Sequence, residues 1–193
     1  MNKYFQTENF YGKEGKMKQQ TVMAFAFSLL VSAVFNVAGG EVVQNGKFTE
    51  TGAPPKNAKG IIGTQWVKNW NCAGAAELKE GAIHLSAGVI YQFLYLPADG
   101  KPYVLKGEIK ASSMPGKNGV LDARMSTCVR KNPNMPFQHA IQRKFGPFKL
   151  ADAVRGYQFE LKIEPYEQGY FYVGGSNVKI ESVSVAAEPA AEK

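Results

Sequence analysis

The sequence predicts an all-β protein, a two-sheet antiparallel β-sandwich preceded by an N-terminal signal peptide. Three observations carry that expectation. Residues 89–111, VIYQFLYLPADGKPYVLKGEIKA, read as two long strands around a turn: Val89, Tyr91, Phe93 and Tyr95 alternate with Ile90, Gln92, Leu94 and Leu96, and Tyr103, Leu105, Gly107, Ile109 and Ala111 alternate with Lys106, Glu108 and Lys110. A period of two held this long marks strands, and apolar groups on both sides of the first arm mark one covered twice or bordering a cleft. Twenty glycines and ten prolines fall between short apolar runs, as in a turn-rich β-protein. Heptads, internal repeats and long amphipathic helices are all missing from the pattern.

The N-terminal part has a different character. Residues 1–16 are polar, Lys16 and Lys18 flank Met17, and residues 21–38, TVMAFAFSLLVSAVFNVA, carry no charge. Small residues Ala38, Gly39 and Gly40 follow, then polar Glu41. This is the layout of a secretory signal peptide with cleavage near 38–40. Ser28, Ser32 and Asn36 dilute the run and favour cleavage over the alternative, a retained membrane anchor. Met17 is a second candidate initiator. The expected division is an extension and signal peptide over 1–40, a sandwich domain over 41–187 and a disordered tail over 188–193. A secreted, periplasmic or cell-surface location follows, with no membrane partner once the leader is removed.

Charge and cysteine content narrow the classes further. The 193 residues carry a formal +7, of which Lys3, Lys13, Lys16 and Lys18 against Glu8 and Glu14 supply +2, leaving +5 on residues 41–193. That charge is spread without a dense run, whereas nucleic-acid binders concentrate it on one stripe, so no nucleic-acid partner is expected. A mildly basic surface favours acidic polymers or an anionic cell surface. Export makes Cys72 and Cys128 candidates for one disulfide, with two separate thiols the equal alternative.

Along the chain, residues 42–48 read as a first strand broken at Gly46, and 49–60 as an exposed loop with Pro54 and Pro55. Residues 61–70 hold both tryptophans, Trp66 and Trp70. Residues 75–78 and 82–86 read as a short hairpin turning at Glu80-Gly81. The 89–111 pair reads as the central hairpin, with Pro97, Asp99 and Gly100 as its turn. Residues 120–130 form a strand with Leu121, Ala123, Met125, Thr127 and Val129 facing the core and Asp122, Arg124, Ser126, Cys128 and Arg130 facing away. After the loop 131–136, residues 138–144 form a strand that continues past Gly146-Pro147. Tyr157, Phe159, Leu161 and Ile163 alternate with polar residues. Residues 169–173 and 178–185 close the domain, with a bulge near Glu181-Ser182 where the apolar phase changes.

Three segments together resemble the jelly-roll carbohydrate-binding modules of the galactose-binding-like superfamily. They are Asn45-Gly46-Lys47-Phe48 at the start, Gln92 followed by the Pro97/Gly100 turn and Tyr103, and the closing 178–185, VKIESVSV. The resemblance implies a jelly-roll sandwich that binds a polysaccharide or glycan without catalysis. Thr49 stands where an acidic residue often follows the Phe, with Glu50 one place later, and Glu181 replaces the usual Asp. In such modules those acids often hold a structural calcium, so Glu50 and Glu181 are its candidate ligands, although two carboxylates without a loop motif favour the simpler reading of two solvated surface acids.

Sugar binding needs flat aromatic faces for the C–H side of pyranose rings and fixed polar groups for hydroxyls. The candidates are Trp66, Tyr91, Tyr95 and Phe137 for stacking, with Phe93 and Trp70 as further rings, and Gln92, Arg124 and Gln138 for polar contacts, with Gln142 and Arg143 beside them. Each aromatic has a core-packing alternative, and Gln92 is the most informative polar residue because an amide among Ile90, Leu94 and Leu96 requires partners. No catalysis is expected: His84 and His139 lie in different strands without a Ser or Cys motif, and nothing singles out Glu108 and Asp122 as a glycosidase pair. The rival class is an exported structural or adhesion sandwich whose aromatics are all core. The sequence does not fix the oligomeric state.

Overall fold

The computed structural model describes residues 40–56, 58–96, 99–129 and 138–191, all within the compact unit Asn36–Lys193. The expected signal peptide, and Pro97, Arg130 and Phe137 with their neighbours, lie outside the described residues. Among the described residues there are ten strands: β1 Thr51–Gly52, β2 Lys59–Ile62, β3 Trp66–Val67, β4 Asn71–Lys79, β5 Ala82–Leu94, β6 Tyr103–Ser113, β7 Val120–Val129, β8 Gln138–Lys149, β9 Arg155–Ile163 and β10 Glu167–Pro189. The described residues form an all-β sandwich.

Strand β10 organises it. Its first half, residues 167–176, is bonded to β5 on one side and β7 on the other, and its second half, 178–189, to β6, with β5 continuing beside 178–180. One layer therefore runs β2-β4-β5-β10-β7-β8, and the other β10-β6-β9. The predicted bulge is where the ladder to β6 slips, between Ile180 and Ser182. The layers meet through apolar side chains: the Phe159 ring of β9 lies 5.3 Å from Phe171 of β10 and 4.6 Å from Phe145 of β8. Ile83, Leu85, Ile90, Leu94, Leu105, Ile109, Leu121, Met125, Val173 and Ile180 fill the same core. Removing that apolar area from water is the main stabilising term.

Several expectations are corrected. The strands of residues 89–111 form as predicted, but β5 and β6 do not pair with each other: β10 lies between them, so they are not a hairpin. The 82–86 arm is the first part of β5, continuous with residues 89–94. The inward phase passes from Ile83 and Leu85 to Ile90, Gln92 and Leu94, and the β4–β5 ladder slips between Ala75 and Ala76. Residues 42–48 are a turn rather than a strand, because Asn45 and Phe48 have φ of 52° and 57°. Gly46 is required there, since a Cβ would collide with the Val183 carbonyl oxygen. The ladders are antiparallel except for β2 on β4, which is parallel. The tail is ordered further than expected: β10 runs to Pro189, and Ala190 N–H donates to the Pro102 carbonyl at 3.0 Å. Cys72 and Cys128 are free thiols on β4 and β7, with β5 and β10 between those strands, so the disulfide does not form.

Candidate functional site

The outer surface of the first layer carries the candidate site. On β5, Ile90, Gln92 and Leu94 are buried, so Tyr91 and Phe93 necessarily point the other way, and Tyr95 continues their side of the chain just past the strand. On β10, buried Phe171 and Val173 likewise send Tyr170 and Tyr172 outward. On β7, buried Leu121, Ala123, Met125 and Thr127 leave Asp122, Arg124, Ser126 and Cys128 outside.

Strand register brings these side chains together. Asn71, Tyr91, Tyr172, Arg124 and Lys144 lie directly opposite one another in sequence across β4, β5, β10, β7 and β8. The adjoining row is Phe93, Tyr170, Ser126 and Gln142. At about 4.8 Å per strand spacing, the five-strand row is roughly 19 Å long. Tyr91 stacks on Tyr172 with centroids 5.3 Å apart and planes 29° from parallel. Phe93 makes edge contacts with Tyr170 at 5.2 Å and Tyr95 at 5.1 Å. The Arg124 guanidinium lies over the Tyr172 ring, 4.5 Å from its centroid. Burial pushes the Tyr172 phenol above its ordinary pKa, with the Arg124 charge pulling the other way. Tyr95 and Tyr170 remain 71% and 42% exposed, so the cluster presents ring faces to solvent. An aromatic group held open by neighbouring rings is a surface for stacking.

The other sequence candidates are elsewhere. Trp66 is 1% exposed, and its indole N–H donates to the Trp70 carbonyl at 2.9 Å. Trp70 is buried too, against Phe48, with its indole N–H donating to the Asn45 carbonyl at 3.3 Å. Both tryptophans are core, because each indole has apolar surroundings and an internal acceptor. Gln92 is 3% exposed and on the core side. Its Oε1 accepts from Gln44 N–H at 2.9 Å, and its Nε2 donates to the Gln44 carbonyl at 3.1 Å. That reciprocal clamp uses the amide to hold residue 44, and takes Gln92 out of the site. Gln138 is in β8, but its side chain, like Phe137, lies outside the described residues. Arg143 points inward and pairs with the buried carboxylate of Glu167, which also accepts from Thr127 Oγ1 and, at 2.9 Å, from Glu164 N–H.

The calcium candidates are apart in role. Glu50 sits 4.0 Å from Lys68 in the turn that Asn45 organises, and Glu181 accepts from Lys179 Nζ at 3.0 Å on β10. Among the described residues no three His, Cys, Asp or Glu side chains converge on a common point. Farther along β4 and β5, a depression of about 220 Å³ is lined by Ile62, Glu77, Lys79, His84, Ser86 and Met114, below the usual size of a ligand pocket.

Sequence reasoning missed Tyr170 and Tyr172. Their signal was present in their alternation with Phe171 and Val173, but only the register with β5 sets them against Tyr91 and Phe93.

No protein-family model matches the chain, and no curated protein matches it. Among solved structures, a ruminal GH26 endo-β-1,4-mannanase is similar over 60% of this chain at 13% identity, with a TM-score of 0.34; this chain spans about a fifth of it, 20%. The CBM22-1 xylan-binding domain of Paenibacillus barcinonensis Xyn10C is similar over 80% of this chain and 98% of its own, at 10% identity and a TM-score of 0.41. The C-terminal family 22 carbohydrate-binding module of Clostridium thermocellum Xyn10B is similar over 66% and 91%, at 16% identity and 0.37.

Proposed function

We propose that this domain binds carbohydrate without transforming it, on the outer face of β5, β10 and β7, and does so outside the cytoplasm after removal of a signal peptide. One observation carries the reading: five aromatic rings from two neighbouring stretches of chain gather on one sheet face and stay partly open to water. A pyranose ring has one apolar C–H side and a rim of hydroxyls. Tyr91, Phe93, Tyr95 and Tyr170 offer the flat surfaces for the first, and Asn71, Gln142 and Arg124 border them for the second. Because the five-strand row spans roughly 19 Å, the face suits a chain of several sugars rather than a single one. The groups that bind therefore differ from the expected set: Tyr91, Tyr95 and Arg124 remain with the further candidates Phe93 and Gln142, and Tyr170, Tyr172 and Asn71 join them.

Affinity electrophoresis of the domain through gels containing soluble polysaccharides tests this. Retardation in at least one polymer, lost in a Tyr95→Ala/Tyr170→Ala double variant that keeps its thermal transition, is the expected result. Unaltered mobility in every polymer overturns it and returns the face to the adhesion reading, in which the rings meet another protein.

A further inference from the structure

We infer that Tyr91 and Tyr172 form a site of oxidative cross-linking, at which a peroxidase using hydrogen peroxide joins the two rings into a dityrosine that ties β5 to β10. The inference stands apart from the carbohydrate-binding reading. Tyr91 and Tyr172 lie directly opposite each other in the β5–β10 register. The ladder itself therefore holds their Cβ atoms about 4.5–5.5 Å apart. Their rings are stacked, with 5.3 Å between centroids and 29° between planes. Both are half-buried, so part of each ring meets water. Bringing the two ring edges together takes side-chain rotation, with the backbone already in place.

The surroundings select this pair. Tyr172 is flanked on both sides, by Tyr91 on β5 and by Arg124 on β7, whose guanidinium lies 4.5 Å from the ring centroid. A tyrosine of another molecule is kept from Tyr172 by those neighbours, so coupling stays within the chain. Tyr170 is 6.1 Å from each ring, but it meets Tyr91 edge to face at 70° and shares its strand with Tyr172. Other tyrosines are engaged elsewhere: the Tyr103 hydroxyl donates to Asp99 at 2.7 Å, and Tyr157 packs on Phe148 with centroids 5.3 Å apart. In the reaction each phenol gives up one electron and one proton. The two radicals combine through the ring carbons beside their oxygens, and the ring hydrogens displaced there move to the oxygens and restore both hydroxyls. One C–C bond thus replaces two C–H bonds, and the two electrons and two protons released reduce one hydrogen peroxide to two waters. The new bond closes a loop of about eighty residues, the kind of constraint on the unfolded chain that a disulfide imposes. Cys72 and Cys128, both free, impose none.

The test treats the protein, with its accessible thiol first blocked by iodoacetamide, with a haem peroxidase and hydrogen peroxide. The expected product is a monomer lighter by two hydrogen atoms, with dityrosine fluorescence, whose digest contains a cross-linked peptide joining Tyr91 to Tyr172. Its thermal transition is expected several degrees above that of the untreated protein, and an unchanged transition overturns the tie between the strands. Tyr91→Phe and Tyr172→Phe keep the ring contacts, and each is expected to lose most of the monomeric dityrosine. Tyr157→Phe should form as much as the parent. Absence of dityrosine from the monomer, its confinement to cross-linked dimers, or a digest joining Tyr95 or Tyr170 in place of the pair overturns the inference. An undiminished yield in either Tyr91→Phe or Tyr172→Phe overturns it as well.

Discussion

Tyr91 and Tyr172 face each other across the β5–β10 ladder, ring on ring at 5.3 Å, and Arg124 lies over the second of them. The stack and the cation over it make Tyr172 both a floor and a support. Tyr172→Ala is expected to lower stability by about 1–2 kcal/mol in urea titrations, because an aromatic pair and a cation–π contact are lost together. Tyr172→Phe keeps both ring contacts and should stay within about 0.5 kcal/mol.

Tyr95 separates binding from folding. Its ring is mostly in water, so Tyr95→Ala should leave stability within about 0.5 kcal/mol. Glycan affinity, read by affinity electrophoresis, is expected to fall about fivefold or more, as for removal of a central stacking ring.

Gln92 should behave in the opposite way. Gln92→Leu leaves the Gln44 N–H and carbonyl without their partner and is expected to cost about 1–3 kcal/mol of stability. Below the melting transition its glycan affinity should match the parent; a loss of binding in the folded variant would return Gln92 to the site.

The Glu167–Arg143 pair closes off the core end of β7 and β8. Glu167→Gln leaves the Arg143 charge without its carboxylate, and is expected to cost about 3 kcal/mol, at the low end for a buried pair because the arginine retains some access to water. Chemical denaturation at neutral pH measures it.

His84 gives the fold an acid-side dependence. Desolvation, and then Lys179, hold its imidazole below the ordinary 6.5, with Glu77 opposing. Above pH 6.5 both folded and unfolded chains carry it neutral. As the pH falls below that value the unfolded chain takes the proton first, so stability declines until the folded pKa is reached. His84→Gln should flatten that segment of the stability–pH curve.

The thiols provide a check on topology. Cys72 is buried, and desolvation pushes its thiol up to about 11, whereas Cys128 is half-exposed. Iodoacetamide at mildly alkaline pH should modify Cys128 well before Cys72, and both should titrate in denaturant without reductant.

Strand positions were readable because inward and outward groups alternate: Tyr103, Leu105, Ile109 and Ala111 are buried as their phase requires, and so are Leu121, Ala123, Met125 and Thr127. Strand neighbours were not readable. Whether β5 lies beside β6 depends on residues about ninety positions later, and a period of two carries no address. Residue type misled where phase did not. Gln92 shares the phase of Ile90 and Leu94, which places it inside, while its amide character points to a ligand; its true partner is a backbone segment with no periodic signature. Trp66 looks like a platform by chemistry alone, yet its neighbour's carbonyl satisfies the indole indoors. Tyr170 and Tyr172 were legible as one side of a strand but not as the other half of the tyrosine cluster.

Strand β10 is the last of the described strands and is the piece that joins β5, β6 and β7. Before it is available, the remaining ladders of the eight-stranded sheet amount to three separate ribbons: β2-β4-β5, β6-β9 and β7-β8. Only when residues 167–189 arrive do these ribbons acquire a common seam, and the tyrosines of β5 their counterparts. Assembly therefore waits on contacts distant in sequence, a slow class of folding event, and a chain ending before Glu167 should form neither the sandwich nor the aromatic face.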